Sequence, residues 1–283
     1  MSTILTTDHP AWQQQPDATL LRPLRTAGGM WLARFGPDGL DLACVDGTED
    51  DKPAAVLTVP DHLPATVPAA LGNGLRALGP SRRVANPWLW DAITTAILRQ
   101  VVRADQARKL YRTWCATYGT PLDGPYRPVH LAPGPAEVLD LADEQFATVG
   151  TKFHRTALRA AAAAYLEHAD TWRRLAPAAL VNALLAVERI GPWTAAAAAA
   201  DYTGDFAVYP HTDLAVRTWA ARIAPDHPWP TADKPKKTEA LFGAHWHHLA
   251  DHGRHLHTLT LSTLTWGAHA RTDQHGGHDQ HRP

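Results

Sequence analysis

Residues 188–200 read Glu-Arg-Ile-Gly-Pro-Trp-Thr and then six alanines, Ala195–Ala200. Alanine is the strongest helix former, and its short side chain lets neighbouring backbones come close. The run therefore predicts a helix enclosed by other helices. Gly191 permits positive φ, and Pro192 suits a first helical turn. Upstream, the pattern of residues 177–187 ends a helix near Val187. The result is two helices joined by the tight link Glu188-Arg189-Ile190-Gly191, with Ile190 plugged between them. Amides of the link and of the next helix's first turn would converge on one point, which is an anion site. A plain helix–turn–helix connection has the same pattern.

The rest of the chain sets bounds. With 45% hydrophobic and 19% charged residues, the composition is globular. Net charge is −1 with histidine neutral, so any nucleic-acid contact must come from a local site and not from the global field. Two cysteines, Cys44 and Cys115, exclude a disulfide framework and a four-cysteine iron–sulfur site. No apolar stretch reaches the roughly 20 residues of a membrane span, and the first residues lack a signal-peptide pattern. The expectation is a cytoplasmic protein without a membrane partner.

Residues 1–80 read as a small antiparallel β domain. Met30–Phe35 and Leu40–Val45 flank a Gly-Pro-Asp-Gly turn, and residues 54–60 are a third strand candidate. Residues 81–270 read almost entirely as helices, with an irregular proline-rich stretch at 120–135 and the hairpin at 183–200. Residues 271–283 read as a polar, disordered tail. The fold class is mostly α.

Three segments in order carry a resemblance. Leu184, Val187, Ile190, Gly191, Trp193, Thr194 and Ala195 form one. Ala96, Ile97, Leu98, Gln100, Val102, Ala107 and Leu110 form a second. Asp213, 22 residues after Gly191 in Tyr-Pro-His-Thr-Asp-Leu, is the third. Together, over residues 85–266, they resemble the helix-hairpin-helix DNA glycosylase superfamily, and the tryptophan variant of the hairpin looks like its 3-methyladenine (alkylpurine) branch. The resemblance implies a helical bundle of two subdomains with a small β domain ahead of it. It implies a monomer that acts on double-stranded DNA carrying damaged bases, near the nucleoid, in base excision repair. No organic cofactor or protein-bound catalytic metal is implied, although a monovalent cation fits at the hairpin. This sequence departs from the family at Glu188-Arg189, where Pro-Gly is usual. Arg189 then has to occupy a position that favours glycine, at a cost of about 1 kcal/mol.

The resemblance also distributes roles. Asp213 becomes the catalytic carboxylate, set against the positive charge that builds on a sugar as its N-glycosidic bond breaks. A helix N-terminus favours an anion there, and the same position fits a simple N-cap. Asp201 and Asp205 read as capping or turn residues. Relatives that also cut the backbone carry lysine two residues after the hairpin glycine, where this chain has Trp193, so a monofunctional glycosylase with water as nucleophile is implied. Trp193, Tyr209, Tyr202 and Trp219 are the candidate base-pocket aromatics, and each also fits core packing. Arg189, Ile190, Gly191, Thr194, Gln100, Val101 and Lys152 are the candidate DNA contacts, with Val101 as the wedge filling the gap left by a flipped base. His154, Arg155 and Arg159 join Lys152 as candidates for backbone phosphates.

Two other classes fit parts of the sequence. A glycosylase fold that binds lesions without turnover would suit the altered hairpin. A helical metalloprotein would use His245, His248 and His252, which fall on one face if that segment is a single helix.

Overall fold

The computed structural model of the chain describes residues 3–125 and 127–276, with side chains to residue 270. In chain order the strands and helices are β1 Ile4–Leu5, β2 Gln13–Gln14, β3 Leu20–Arg25, β4 Met30–Gly36, β5 Gly39–Asp46, β6 Ala55–Thr58, α1 Ala69–Leu78, β7 Ser81–Val84, α2 Leu89–Leu98, α3 Ala104–Tyr118, β8 Pro121–Leu122 and β9 Val129–His130. Then follow α4 Pro135–Asp140, α5 Asp143–Thr148, α6 Arg155–Trp172, α7 Pro177–Leu185, α8 Pro192–Thr203, α9 Leu214–Ile223, α10 Pro235–His248 and α11 Gly253–Gly276. The fold is mostly helical with small sheets. Among the described residues no helix is long and apolar enough to cross a membrane.

The chain forms two compact units. One is built from residues 9–55 and 84–204, and the other from residues up to 8, 56–83 and from 205 onward. They are called the hairpin unit and the aspartate unit below. The division interleaves the chain, whereas the sequence pattern placed one boundary near residue 80. The reason is that the β-rich N-terminal segment is shared out: β2–β5 go with the hairpin helices, and the segment 56–83, including α1, goes with α9–α11. The expected disordered tail begins inside α11, which runs to Gly276; residues 277–283 lie outside the described residues.

In the hairpin unit β2-β3-β4-β5 is an antiparallel meander, with Leu24 opposite Trp31 and Phe35 opposite Leu40. Its β3 carries Pro23, which conceals it in a sequence scan. The proline is tolerated because β2 pairs only with Leu20 and Leu21 and its ladder does not extend to Pro23. All ten residues of α2 are buried, and so are Ala195–Ala200 of α8. α8 packs on α2 and α7, and the absence of bulky side chains lets α8 sit inside the helical layer. It stops at Gly204, whose left-handed φ of 72° lets its N–H return to Ala200.

In the aspartate unit β1 pairs in parallel with β7, and β6 completes a three-stranded sheet. α11 packs against α9 and α1. One contact there requires a glycine: a Cβ on Gly267 would stand 2.2 Å from the Trp219 indole nitrogen.

Candidate active site

In the aspartate unit the chain turns through Pro210-His211-Thr212 and enters α9 at Asp213. The Asp213 N–H donates to the Pro210 carbonyl at 2.9 Å. Asp213 is the N-cap of α9, and its Oδ1 accepts from the Ala215 amide at 2.7 Å. Its Oδ2 accepts from the Tyr209 hydroxyl at 2.8 Å. The capping role and a catalytic role are therefore compatible, because the cap is what immobilises the half-buried carboxylate.

Tyr209 is itself held. It is 5% exposed and stacks on Phe206 with ring centroids 5.5 Å apart. The Arg83 guanidinium lies 4.9 Å from the Phe206 centroid and forks onto Asp8 with two 3.0 Å hydrogen bonds. His257 Nδ1 accepts the Phe206 amide at 3.0 Å, and its Nε2 is 3.2 Å from the Thr58 hydroxyl. His211, two residues before the aspartate, faces His247 with ring nitrogens 3.0 Å apart. Burial, and then the neighbouring imidazole, push its pKa down to about 4, so it is neutral at physiological pH.

The structure assigns Trp219 to packing. It is 7% exposed, tilted against Trp266 and closed over by Gly267, so it offers no open face to a base. Tyr209 is likewise enclosed, and its hydroxyl serves Asp213. Asp205 accepts the Ala207 amide at 2.9 Å and behaves as the turn residue expected.

In the hairpin unit α7 ends at Leu185, and Ile190 is buried with its N–H on the Val187 carbonyl at 3.1 Å. The left-handed residue of the link is Arg189, at φ 64°, and not Gly191, whose φ is −88°. A Cβ on Gly191 would meet nothing within 4 Å, so the bare surface there serves no internal contact. Arg189 pairs with Glu188 at 3.8 Å, both side chains about 70% exposed, which contributes little to stability. Thr194 is buried. Its hydroxyl accepts from Gln100 Nε2 at 2.7 Å, and the same amide reaches the Arg189 carbonyl at 3.4 Å. Gln100 and Thr194 thus clamp the end of α2 to the start of α8 instead of projecting outward. Trp193 is half-buried, with the Arg99 guanidinium 5.6 Å from its ring centroid.

Val101 follows directly. It is fully exposed at φ 60°, an unfavourable conformation for a β-branched residue. Behind it, His154 is bonded to the Gln100 backbone, and burial lowers its pKa. This brings the turn Lys152–His154 beside the Val101 turn. Lys152 is exposed and Phe153 is 95% exposed. Phe153 was not singled out in the sequence; an apolar residue between a lysine and a histidine is its only signal. Arg155 and Arg159 both bind Asp143, so they knit α5 to α6. Tyr202 is half-buried on α8, and burial raises its pKa.

Asp201 is no loop residue. It lies within α8, buried, and Asn86 Nδ2 donates to it at 2.9 Å and to Asp91 at 3.0 Å. His9 Nε2 stands 3.4 Å from Asp91 and 3.6 Å from Asp201. The histidines His245, His248 and His252 do not share a helix, because α10 ends at His248 and α11 starts at Gly253. His245 faces His227 at 3.0 Å, and His252 lies tilted against His255 with ring centroids 3.7 Å apart. Among the described residues no three histidine, cysteine, aspartate or glutamate side chains are grouped as metal ligands.

No family model matches the sequence, and no curated protein matches it. The fold has clear counterparts. A 3-methyladenine DNA glycosylase from Archaeoglobus fulgidus superposes with a TM-score of 0.67 at 14% identity, covering 92% of this chain and 91% of that one. The 8-oxoguanine glycosylase/lyase of Clostridium acetobutylicum, bound to double-stranded DNA with cytosine opposite 8-oxoguanine, gives 0.65 at 10% identity over 95% and 90%. MBOgg1 with a low-affinity DNA ligand gives 0.66 at 13% over 92% and 88%. The chain has the helix-hairpin-helix DNA glycosylase fold.

Proposed function

We propose that the protein is a monofunctional DNA glycosylase, which hydrolyses the N-glycosidic bond of a damaged base in double-stranded DNA. The observation that carries this reading is the Asp213 carboxylate, fixed at the mouth of α9 by the Ala215 amide and the Tyr209 hydroxyl. As the bond from C1′ to the base nitrogen breaks, its electron pair leaves with the base and positive charge develops on the sugar. Asp213 stabilises that charge. It also orients the water that adds to C1′ and accepts its proton, leaving an abasic site. The hairpin binds a backbone phosphate through the first-turn amides of α8, and bare Gly191 admits the close approach. Val101 fills the stack when the nucleotide is flipped out, and Phe153 is a second apolar side chain for the same duplex. Trp193 at the lysine position of the lyases leaves no amine there to form a Schiff base. Base release from lesion-bearing duplexes tests the reading. The Asp213→Asn variant should lose about 10²-fold or more in cleavage while keeping lesion affinity. Equal turnover by the variant refutes the assignment.

A second reading is favoured by the Glu188-Arg189 departure: a glycosylase fold that binds lesions without turnover. Under that reading the native protein binds lesion duplexes and releases no base.

A further inference from the structure

Arg99 and Trp193 are held in register. The guanidinium carbon stands 5.6 Å from the indole centroid, and the next residue on each side forms the Gln100–Thr194 hydrogen bond of 2.7 Å. Arginine does not deprotonate in proteins, so the indole carries a permanent neighbouring cation. We propose that Arg99 is a specificity residue that makes the base site select lesion bases uncharged at neutral pH and reject cationic N-alkylated purines. The inference rests on the glycosylase reading above and on the base-pocket role that the family resemblance implies for Trp193.

An indole face attracts a cation through its quadrupole, and here that attraction is already engaged by Arg99. A cationic base on the same ring meets the guanidinium inside the Debye length of about 10 Å at 0.1 M salt, so salt screens the repulsion only in part. A neutral base stacks without that repulsion. The alkylated purines expected from a bare tryptophan are thereby divided, with neutral adducts retained and cationic ones disfavoured. Cationic bases are also the better leaving groups.

The test compares duplexes carrying a single hypoxanthine, which is neutral, or a single 7-methylguanine, which is cationic. Single-turnover release is measured for the native protein, Arg99→Met and Arg99→Lys, and lesion affinity for the same three in an Asp213→Asn background. Arg99→Met should move both ratios toward 7-methylguanine by about tenfold. Arg99→Lys keeps the charge and should keep the native ratios. Unchanged ratios in Arg99→Met, or the same shift in Arg99→Lys, overturn the proposal. If the native protein releases neither base, the glycosylase reading fails, and the affinity ratios alone decide the role of Arg99.

Discussion

A carboxylate that stabilises a growing positive charge has to be held still, and at Asp213 both oxygens are held by donors of different kinds. Ala215 belongs to the helix that Asp213 caps, whereas Tyr209 belongs to an aromatic block four residues earlier. Removing the second hold alone is informative. Tyr209→Phe keeps the ring stacked on Phe206 and deletes one hydrogen bond, so stability should fall by only about 1 kcal/mol. Its kcat for base release should fall about tenfold with KM little changed, because a mispositioned carboxylate affects the transition state and not binding. Steady-state kinetics beside a urea titration check both halves; a change confined to KM sinks the positioning role. The spacing in the sequence singled out Asp213, and its residue type fitted the N-cap that the structure shows. Its hold by Tyr209 was not legible, because that contact crosses an irregular turn with no periodicity of its own. Trp219 shows the reverse: its residue type suited a pocket, and only packing against Gly267 shows that it is enclosed.

Three non-glycine residues of the hairpin unit stand at positive φ, Ala18, Val101 and Arg189, and the last two lie where DNA contacts were expected. Val101→Gly removes the strain of φ 60° and sacrifices no burial, so the variant should be more stable by about 1 kcal/mol, read as a higher urea midpoint. If Val101 is the wedge, the same variant loses base release about tenfold on duplex while cleaving single-stranded substrate normally. Higher stability with unaltered duplex activity would remove the wedge from the scheme. Arg189→Gly relieves φ 64° in the same way. If Arg189 neutralises a phosphate, that variant should lower the slope of log affinity against log salt by about 1. An unchanged slope would confine Arg189 to its weak pair with Glu188. At this scale the sequence was legible wherever periodicity was strong. The hairpin and the β4–β5 pair lie where the patterns put them. β3 was hidden by Pro23, the single histidine helix was broken by the turn at residues 249–252, and the boundary near 80 missed that β7 pairs with β1 and with β6 and not with the meander. The boundary miss concerns long-range strand pairing, which local pattern does not encode.

For the whole chain, buried titratable groups set the pH dependence of stability, and they pull in opposite directions. Burial first, with Asp201 adding to it, raises Asp91 from 3.8 to about 6 against the opposing Tyr111 hydrogen bond and the Arg22 charge. Between those values the folded chain keeps a proton that the unfolded chain releases. Stability from Asp91 is therefore present below pH 3.8 and lost as pH rises to about 6. His211 runs the other way. Its pKa falls from 6.5 to about 4, so the unfolded chain takes up a proton that the folded one refuses, and stability is lost as pH drops through that window. The two effects are opposite in sign and of similar size, so they largely offset each other. Burial also lowers His154 and His257, which tips the balance toward loss in acid. Urea midpoints between pH 4 and 7 should therefore fall gently toward pH 4 in the native protein. Asp91→Asn removes the offset and should steepen that fall. His211→Asn removes an acid-labile group and should flatten or reverse it. Parallel curves for all three proteins would show that neither buried group governs the acid limb, whatever the variants do to stability at pH 7.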